Sequence, residues 1–390
     1  MQIGLFLLGL AYVLSQFFRA FLAVLTAPLG ADLGVGADVL ATASGLWFLS
    51  FAAMQIPVGW ALDTIGPRRT AGWLLLIGGA GGAALFAVAQ GPLYIHAAML
   101  LIGIGCSPVL MASFYIFART FPPERFATLA ALMIGIGTVG NLISSYPMAL
   151  AADTIGWRAA MWVLAAACAV VALGILISVR DPAKPEDEAK GSLLDLLRMP
   201  VLWLLLPIMF VNYAPIGAVR GLWIGPYLTD VFALTVSQVG IATLVMSLAM
   251  IAGTLAYGPL DRILGTRKWV VFGGNVMTTA LLVLLIVFSA TNPWLSVAIM
   301  AGIGFFGASF PVIIAHARGF FPDHLTGRGV TLMNLFGIGG VGVMQFASGR
   351  IHTNWSGGAA DAPYVAIFAF LAVALAIGLA IYARSRDTTG

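Results

Sequence analysis

The chain has 390 residues, 61% of them hydrophobic and 9% charged, and a mean hydropathy of +1.02. A soluble globular domain carries about a quarter charged residues, so a soluble fold is excluded. The net charge of +4 would suggest an acidic partner in a soluble protein, but here the positions of the charges say more than their sum, and no nucleic-acid partner is expected.

Apolar stretches long enough to cross about 30 Å of hydrocarbon as helices recur along the chain. They fall at 3–29, 39–62, 70–90, 93–118, 126–151, 159–179, 201–229, 237–260, 269–290, 293–317, 328–348 and 363–383. The first has no basic residue ahead of it and exceeds the apolar core of a signal peptide, so it is expected to be a retained span. The segments 68–69, 119–125, 180–198, 262–268 and 318–328 and the C-terminal tail hold fifteen of the 19 Lys and Arg. Arg158 and Arg350 fall on the other side. This asymmetry predicts a multi-pass protein of a cell inner membrane with both termini cytoplasmic.

Residues 180–191, RDPAKPEDEAKG, are rich in charge and proline and read as a linker. The expected organisation is therefore a six-helix bundle over 1–179, a cytoplasmic linker with an interfacial helix over 180–200, and a second six-helix bundle over 201–390. The two halves are duplicates. GIGCSPVLMASFYIFARTFPPER (103–125) aligns with GIGFFGASFPVIIAHARGFFPDH (302–324) at one constant offset, and GWALDTIGPRR (59–69) with the weaker YGPLDRILGTRK (257–268). Two copies of one topology are related by a pseudo-two-fold axis along the membrane normal, with solute sites expected near the midplane.

Gly59, Asp63, Gly66, Arg68 and Arg69 form the pattern G-x-x-x-D-x-x-G-x-R-R, which resembles the signature loop of the major facilitator superfamily. Twelve spans, inside termini and a central linker match that family over essentially the whole chain. The resemblance implies an all-α integral membrane protein of two pseudo-two-fold-related bundles. It also implies a charge lock in which Asp63, Arg68 and Arg69, with Asp261 as the degenerate second copy, hold the cytoplasmic helix ends together. The alternative is that Arg68 and Arg69 only anchor topology. The second copy has one extra residue between Asp261 and Gly265. Met99 stands where many members carry an arginine in the fourth helix, and GIGTVGN (135–141) stands where exporters carry a Gly-Pro pair; both departures argue against a proton-driven drug exporter.

The offset also places YVLSQFFRA (12–20) over YAPIGAVRG (213–221), so Tyr12 pairs with Tyr213 and Arg19 with Arg220. On a regular helix, tyrosine and arginine seven residues apart share one face about 10 Å apart. An arginine near the bilayer centre costs ~2.5–3.5 kcal/mol on insertion scales. The fifteen Asp and Glu all fall in loops, tails or helix ends, so the counter-charge is expected from an anionic solute held by the planar donor fork of arginine. The alternative is that each arginine bonds carbonyls freed by helix irregularity, which Pro215 and Gly217 favour in the seventh span; the first span lacks such breakers next to Arg19. Organic-anion and phosphate antiporters of the same superfamily bind an anion with one arginine from each of these two helices, and only Arg19 and Arg220 carry that over.

Gln16 and Asn212 are expected to join the site beside the Tyr/Arg stripes, although polar residues in membranes more often bond across helix interfaces. His316, near the inner end of its span, is expected where protonation is cheap. Cys106 and Cys168 read as inert packing residues. No nucleophile with a base, no ligand cluster and no phosphate loop stands out, so neither an enzyme nor a cofactor or metal is expected. The sequence points to a monomeric carrier of a small anionic solute, by exchange or uniport. Open alternatives are a proton-driven exporter of lipophilic compounds, a zwitterion or peptide uniporter, and a non-transporting receptor or assembly factor.

Overall fold

The computed structural model describes residues 2–182, 193–322 and 325–388. The described residues are helical and contain no strand. Helix stands at each of the twelve expected positions. We number the spans α1 (Gln2–Phe18, continued as Leu22–Leu33), α2 (Ala37–Thr64), α3 (Pro67–Ala87), α4 (Pro92–Thr120), α5 (Pro123–Ile143, continued as Tyr146–Thr154) and α6 (Trp157–Ser178). Then follow α7 (Leu202–Phe232), α8 (Val236–Leu264), α9 (Lys268–Val287), α10 (Pro293–Arg318), α11 (Thr326–Trp355) and α12 (Ala362–Tyr382). Among the described residues, ten helices are long and apolar enough to cross a membrane, and α1 makes an eleventh when its two segments, bent by 56°, count as one. The fifth expected span is helical but interrupted at Ser144 and Ser145.

Local chemistry sets the helix ends. Proline opens α3, α4, α10 and the second half of α4, where its missing N–H falls among the unpaired donors of a first turn. The start of α8 carries a capping box, with Thr235 Oγ1 accepting from Gln238 N–H at 3.3 Å and Gln238 Oε1 accepting from Thr235 N–H at 2.9 Å.

The chain divides into two compact units, Met1–Asp187 and Glu188–Gly390. Most of the expected linker lies outside the described residues; its end forms a short helix, Leu193–Leu197, with Leu196 buried and Asp195 exposed. In the first unit α1 packs along α5 and α6, α2 along α4, and α3 between α4 and α6. In the second, α7 packs along α11 and α12, α8 along α10, and α9 between α10 and α12. The same neighbour scheme recurs, so the duplicated sequence folds as a duplicated bundle. The outward faces are apolar, as on α6, where Val170 and Ile177 are 67% and 81% exposed. Such surface is stable against lipid and not against water.

Each bundle contains an equivalent close approach of glycine to a neighbouring backbone. A Cβ on Gly140 of α5 would stand 2.0 Å from the Val13 carbonyl oxygen of α1, and one on Gly340 of α11 would stand 1.9 Å from that of Phe210 in α7. Backbone cannot yield as a side-chain tip can, so these helices touch only because the residues are glycine. Gly140→Ala and Gly340→Ala are each expected to destabilise by ~1–3 kcal/mol, read as a lower melting temperature in detergent. Gly135→Ala, whose Cβ meets nothing within 4 Å, is the control and leaves the melting temperature unchanged or slightly raised.

Candidate functional site

Arg19 lies where α1 breaks. The helix runs to Phe18, turns through residues 19–21 and resumes at Leu22 at 56° to its first segment. No proline or glycine stands beside Arg19, as expected, yet the helix breaks there. Arg220 stands in a wide π-helical turn, Val219–Trp223, within α7. Each arginine thus sits on irregular backbone at equivalent positions of the two copies. The straight-helix geometry that put tyrosine and arginine on one stripe does not hold across either irregularity, because a bend or an inserted residue rotates everything beyond it.

Both arginines turn to the second span of their own bundle. The Arg19 guanidinium carbon is 5.4 Å from the ring centroid of Trp47 and 5.6 Å from that of Phe51, both on α2. These two rings stack on each other at 5.1 Å. The Arg19 side chain is half-buried, its Nε has no hydrogen-bond partner, and among the described residues it pairs with no carboxylate. In the second bundle Arg220 is 4% exposed and its Nε donates to Ser247 Oγ on α8 at 2.8 Å. The Ser247 hydroxyl itself donates to the Thr243 carbonyl at 2.6 Å, which aims its lone pairs at the arginine.

The other expected residues separate. Tyr12 is buried, its hydroxyl accepts from Gln16 Nε2 at 3.1 Å, and its ring lies against Gly137 of α5. Gln16 thereby sits one turn before Arg19 with Oε1 buried and unpaired. Tyr213 is half-buried at the end of the Leu202–Asn212 segment, its ring 5.6 Å from Phe310. Asn212 is fully buried and faces its own bundle, donating to Asn275 Oδ1 of α9 at 2.7 Å and to Ser309 Oγ of α10 at 2.9 Å. That is the interface use of a polar residue. His316 is also fully buried, between the Tyr382 hydroxyl at 2.7 Å and the Arg386 carbonyl at 2.8 Å, which corrects the expectation of an easily protonated position. Cys106 and Cys168 are free thiols and buried.

At the basic end of the first unit, Asp63 pairs with Arg119 at the end of α4 at 3.8 Å, and Arg119 covers the Tyr115 ring at 3.7 Å. Arg68 engages Asp181, just beyond α6, through its backbone N–H at 2.8 Å and its Nε at 3.8 Å. Arg69 is exposed. In the second unit Asp261 pairs with Arg267 at 3.3 Å. Asp387, just beyond α12, accepts from the Thr266 hydroxyl and from the N–H groups of Arg267 and Lys268 at 3.3 and 3.4 Å. In both copies, then, an aspartate returning from the sixth helix of the bundle clasps the start of the third. The sequence reading passed over this pair, although Arg-Asp recurs at 180–181 and 386–387.

A family model described as Major Facilitator Superfamily matches residues 8–222 and 206–389. The chain belongs to that family, and it is a multi-pass membrane transporter with the two-bundle fold. A gallate transporter of Pseudomonas putida is 29% identical over 119 residues, spanning 29% of this chain and only 25% of that protein. Among solved structures, a bacterial homologue of the human lysosomal transporter Spinster superposes with a TM-score of 0.76 at 17% identity, over 98% of this chain and 96% of that one. A D-xylose–proton symporter gives 0.77 at 13% identity, over 98% of both, and a nucleoside transporter gives 0.75 at 15%, over 98% and 99%. At these identities the likeness is one of fold.

The clasp makes a pH prediction. Burial alone would raise the Asp387 carboxyl, but hydrogen bonds from Thr266 and from the N–H groups of Lys268, Thr388 and Arg267 outweigh it and hold the group well below the usual carboxylate range. A carboxyl depressed on folding stabilises above its unfolded value and loses that contribution as the pH falls toward its folded value. Asp387→Asn is expected to lower the melting temperature at pH 7. The deficit shrinks as the pH drops below ~4, and a pH-independent deficit would count against the clasp.

Proposed function

We propose that this transporter moves a small organic anion across a cell inner membrane by alternating access, as an exchanger or uniporter, with both termini cytoplasmic. Arg19 and Arg220 supply the positive partners of the solute. The observation that carries this reading is Arg19 itself, a guanidinium at a helix break in an apolar span, resting on two aromatic rings with a buried Nε unpaired and no carboxylate beside it. Aromatic faces temper a cation by ~0.5–2 kcal/mol each without neutralising it, so the fork stays available to an anion. The recurrence of arginine at the equivalent irregularity of α7 supports a shared role, since intramembrane charges generally serve transport. The partial likeness to a gallate transporter is in keeping with a carboxylate solute. Tyr12 and Gln16 belong to the same turn of α1, and Tyr213 precedes the irregular part of α7. We assign Asp63, Arg68, Arg69 and Asp261 to a gate at the cytoplasmic helix ends, with Arg119 as the partner of Asp63.

The test is a thermal-shift screen of mono- and dicarboxylates, phosphates and short peptides in detergent, followed by counterflow in proteoliposomes. At least one carboxylate should raise the melting temperature and exchange. Arg19→Ala and Arg220→Ala should each weaken its binding by about 10–100-fold, the worth of a charged hydrogen bond. The lysine variants should recover only part of this, because lysine keeps the charge and loses the fork. Stabilisation that survives both alanine changes would overturn the assignment, and binding without counterflow would favour a receptor.

A further inference from the structure

Arg19 is one of several buried polar groups on α1 and α2 left without a partner. Gln16 is 8% exposed and gives its amide N–H to Tyr12, leaving Oε1 buried and unpaired. Trp47 is 1% exposed, lies beside the guanidinium and leaves its indole Nε1–H buried and unpaired. Arg19 Nε is the third, and Ser15 Oγ is the fourth. Buried polar groups are nearly always satisfied, and other indoles of this protein obey the rule. Trp157 donates to Asp32, Trp203 to the Leu197 carbonyl and Trp223 to Ser348. On α1 and α2 the exceptions are Arg19 itself, Ser15 and Gln16 within the four residues before it, and Trp47, whose ring centroid is 5.4 Å from its guanidinium carbon.

The four groups differ in kind, and the Ser15 hydroxyl can both donate and accept. Arg19 Nε and Trp47 Nε1 donate, whereas Gln16 Oε1 accepts. A bare carboxylate, which only accepts, can meet the donors but would set its own lone pairs against the amide oxygen. A hydroxyl both donates and accepts. We infer that the turn around Arg19 takes a hydroxycarboxylate, with the carboxylate on the guanidinium, the hydroxyl donating to Gln16 Oε1, and Trp47 Nε1–H as a further donor to the oxygens of the solute. Gln16 and Trp47 are then the residues that set specificity. This inference rests on the anion reading of Arg19 above and goes beyond it by naming the second functional group of the solute.

Matched acid pairs test it on the purified full chain: acetate against glycolate, propionate against lactate, and benzoate against 3- and 4-hydroxybenzoate, with binding read by thermal shift and competition. In at least one pair the hydroxylated acid should bind about tenfold tighter or more, because a site built for a hydroxyl rejects the analogue lacking it. Gln16→Met, which keeps the volume, and Trp47→Phe, which keeps a ring beside the guanidinium, should each bring that ratio below about twofold. The ligand-free melting temperature of each variant reports folding separately, and if one variant does not fold the other decides. Equal binding within every pair, or a ratio that persists in the folded variants, overturns the inference and leaves the anion reading intact. If no acid of any pair binds, this inference is overturned, and the anion reading of Arg19 stands or falls with the wider screen above.

Discussion

A guanidinium cannot shed its charge at any pH a cell reaches, so a chain that places one inside an apolar span must answer for it structurally. The two bundles answer differently. In the first, the charge of Arg19 rests on the stacked rings of Trp47 and Phe51. Two such contacts at ~0.5–2 kcal/mol each are of the same order as the ~2.5–3.5 kcal/mol an arginine costs at the bilayer centre. In the second, Arg220 is almost fully buried and held by a serine whose own proton is committed to the backbone. The first arrangement moderates a charge, while the second fixes it in place.

The backbone irregularities follow from the same constraint. A regular helix spends all its carbonyls internally and offers a polar side chain no change of direction. The break at residues 19–21 and the π-turn at Val219–Trp223 each interrupt that regularity at the arginine, although the causes differ. In α7 the sequence supplies Pro215 and Gly217 just before the turn. In α1 the break falls amid Phe17, Phe18 and Phe21, whose rings pack edge-on and stacked at 5.5 to 5.8 Å, and Phe21 meets Phe86 of α3 at 5.4 Å, so aromatic packing rather than a breaker residue accompanies the bend.

That difference explains what the sequence could and could not reveal. The twelve helical segments were legible because apolar length is a strong signal, and the duplication because residues such as Arg19 and Arg220 recur at one offset. The pairing of Asp63 with the end of α4 was not legible, since the loop pattern names charges without naming partners. Trp47 and Phe51 read only as two more apolar residues on a helix, and their role becomes visible once α2 is seen beside the turn of α1. Asn212 neighbours the arginine stripe in sequence, yet Asn275 and Ser309 claim it, because one residue of rotation on a helix moves a side chain by 100°. The aspartate clasps were hidden for another reason: Asp181 and Asp387 lie at the start of a linker and in a tail, where carboxylates usually face solvent.

The asymmetry between the bundles bears on how a duplicated carrier divides its labour. Duplication alone would give two equal arginines, yet among the described residues the first copy leaves buried groups of opposite kind, Gln16 Oε1 and Trp47 Nε1, unpaired on α1 and α2. In the second copy, the residue on α8 that meets the arginine is a serine, which satisfies a donor where tryptophan only covers a face. A solute that carries one negative charge needs a firm positive anchor and a discriminating neighbour, and these demands conflict in one residue, because tight internal hydrogen bonding competes with the solute for the same donors. Under the proposed function, splitting them would leave Arg220 held by the protein and the groups around Arg19 for the solute, so that divergence of the two copies would supply the selectivity.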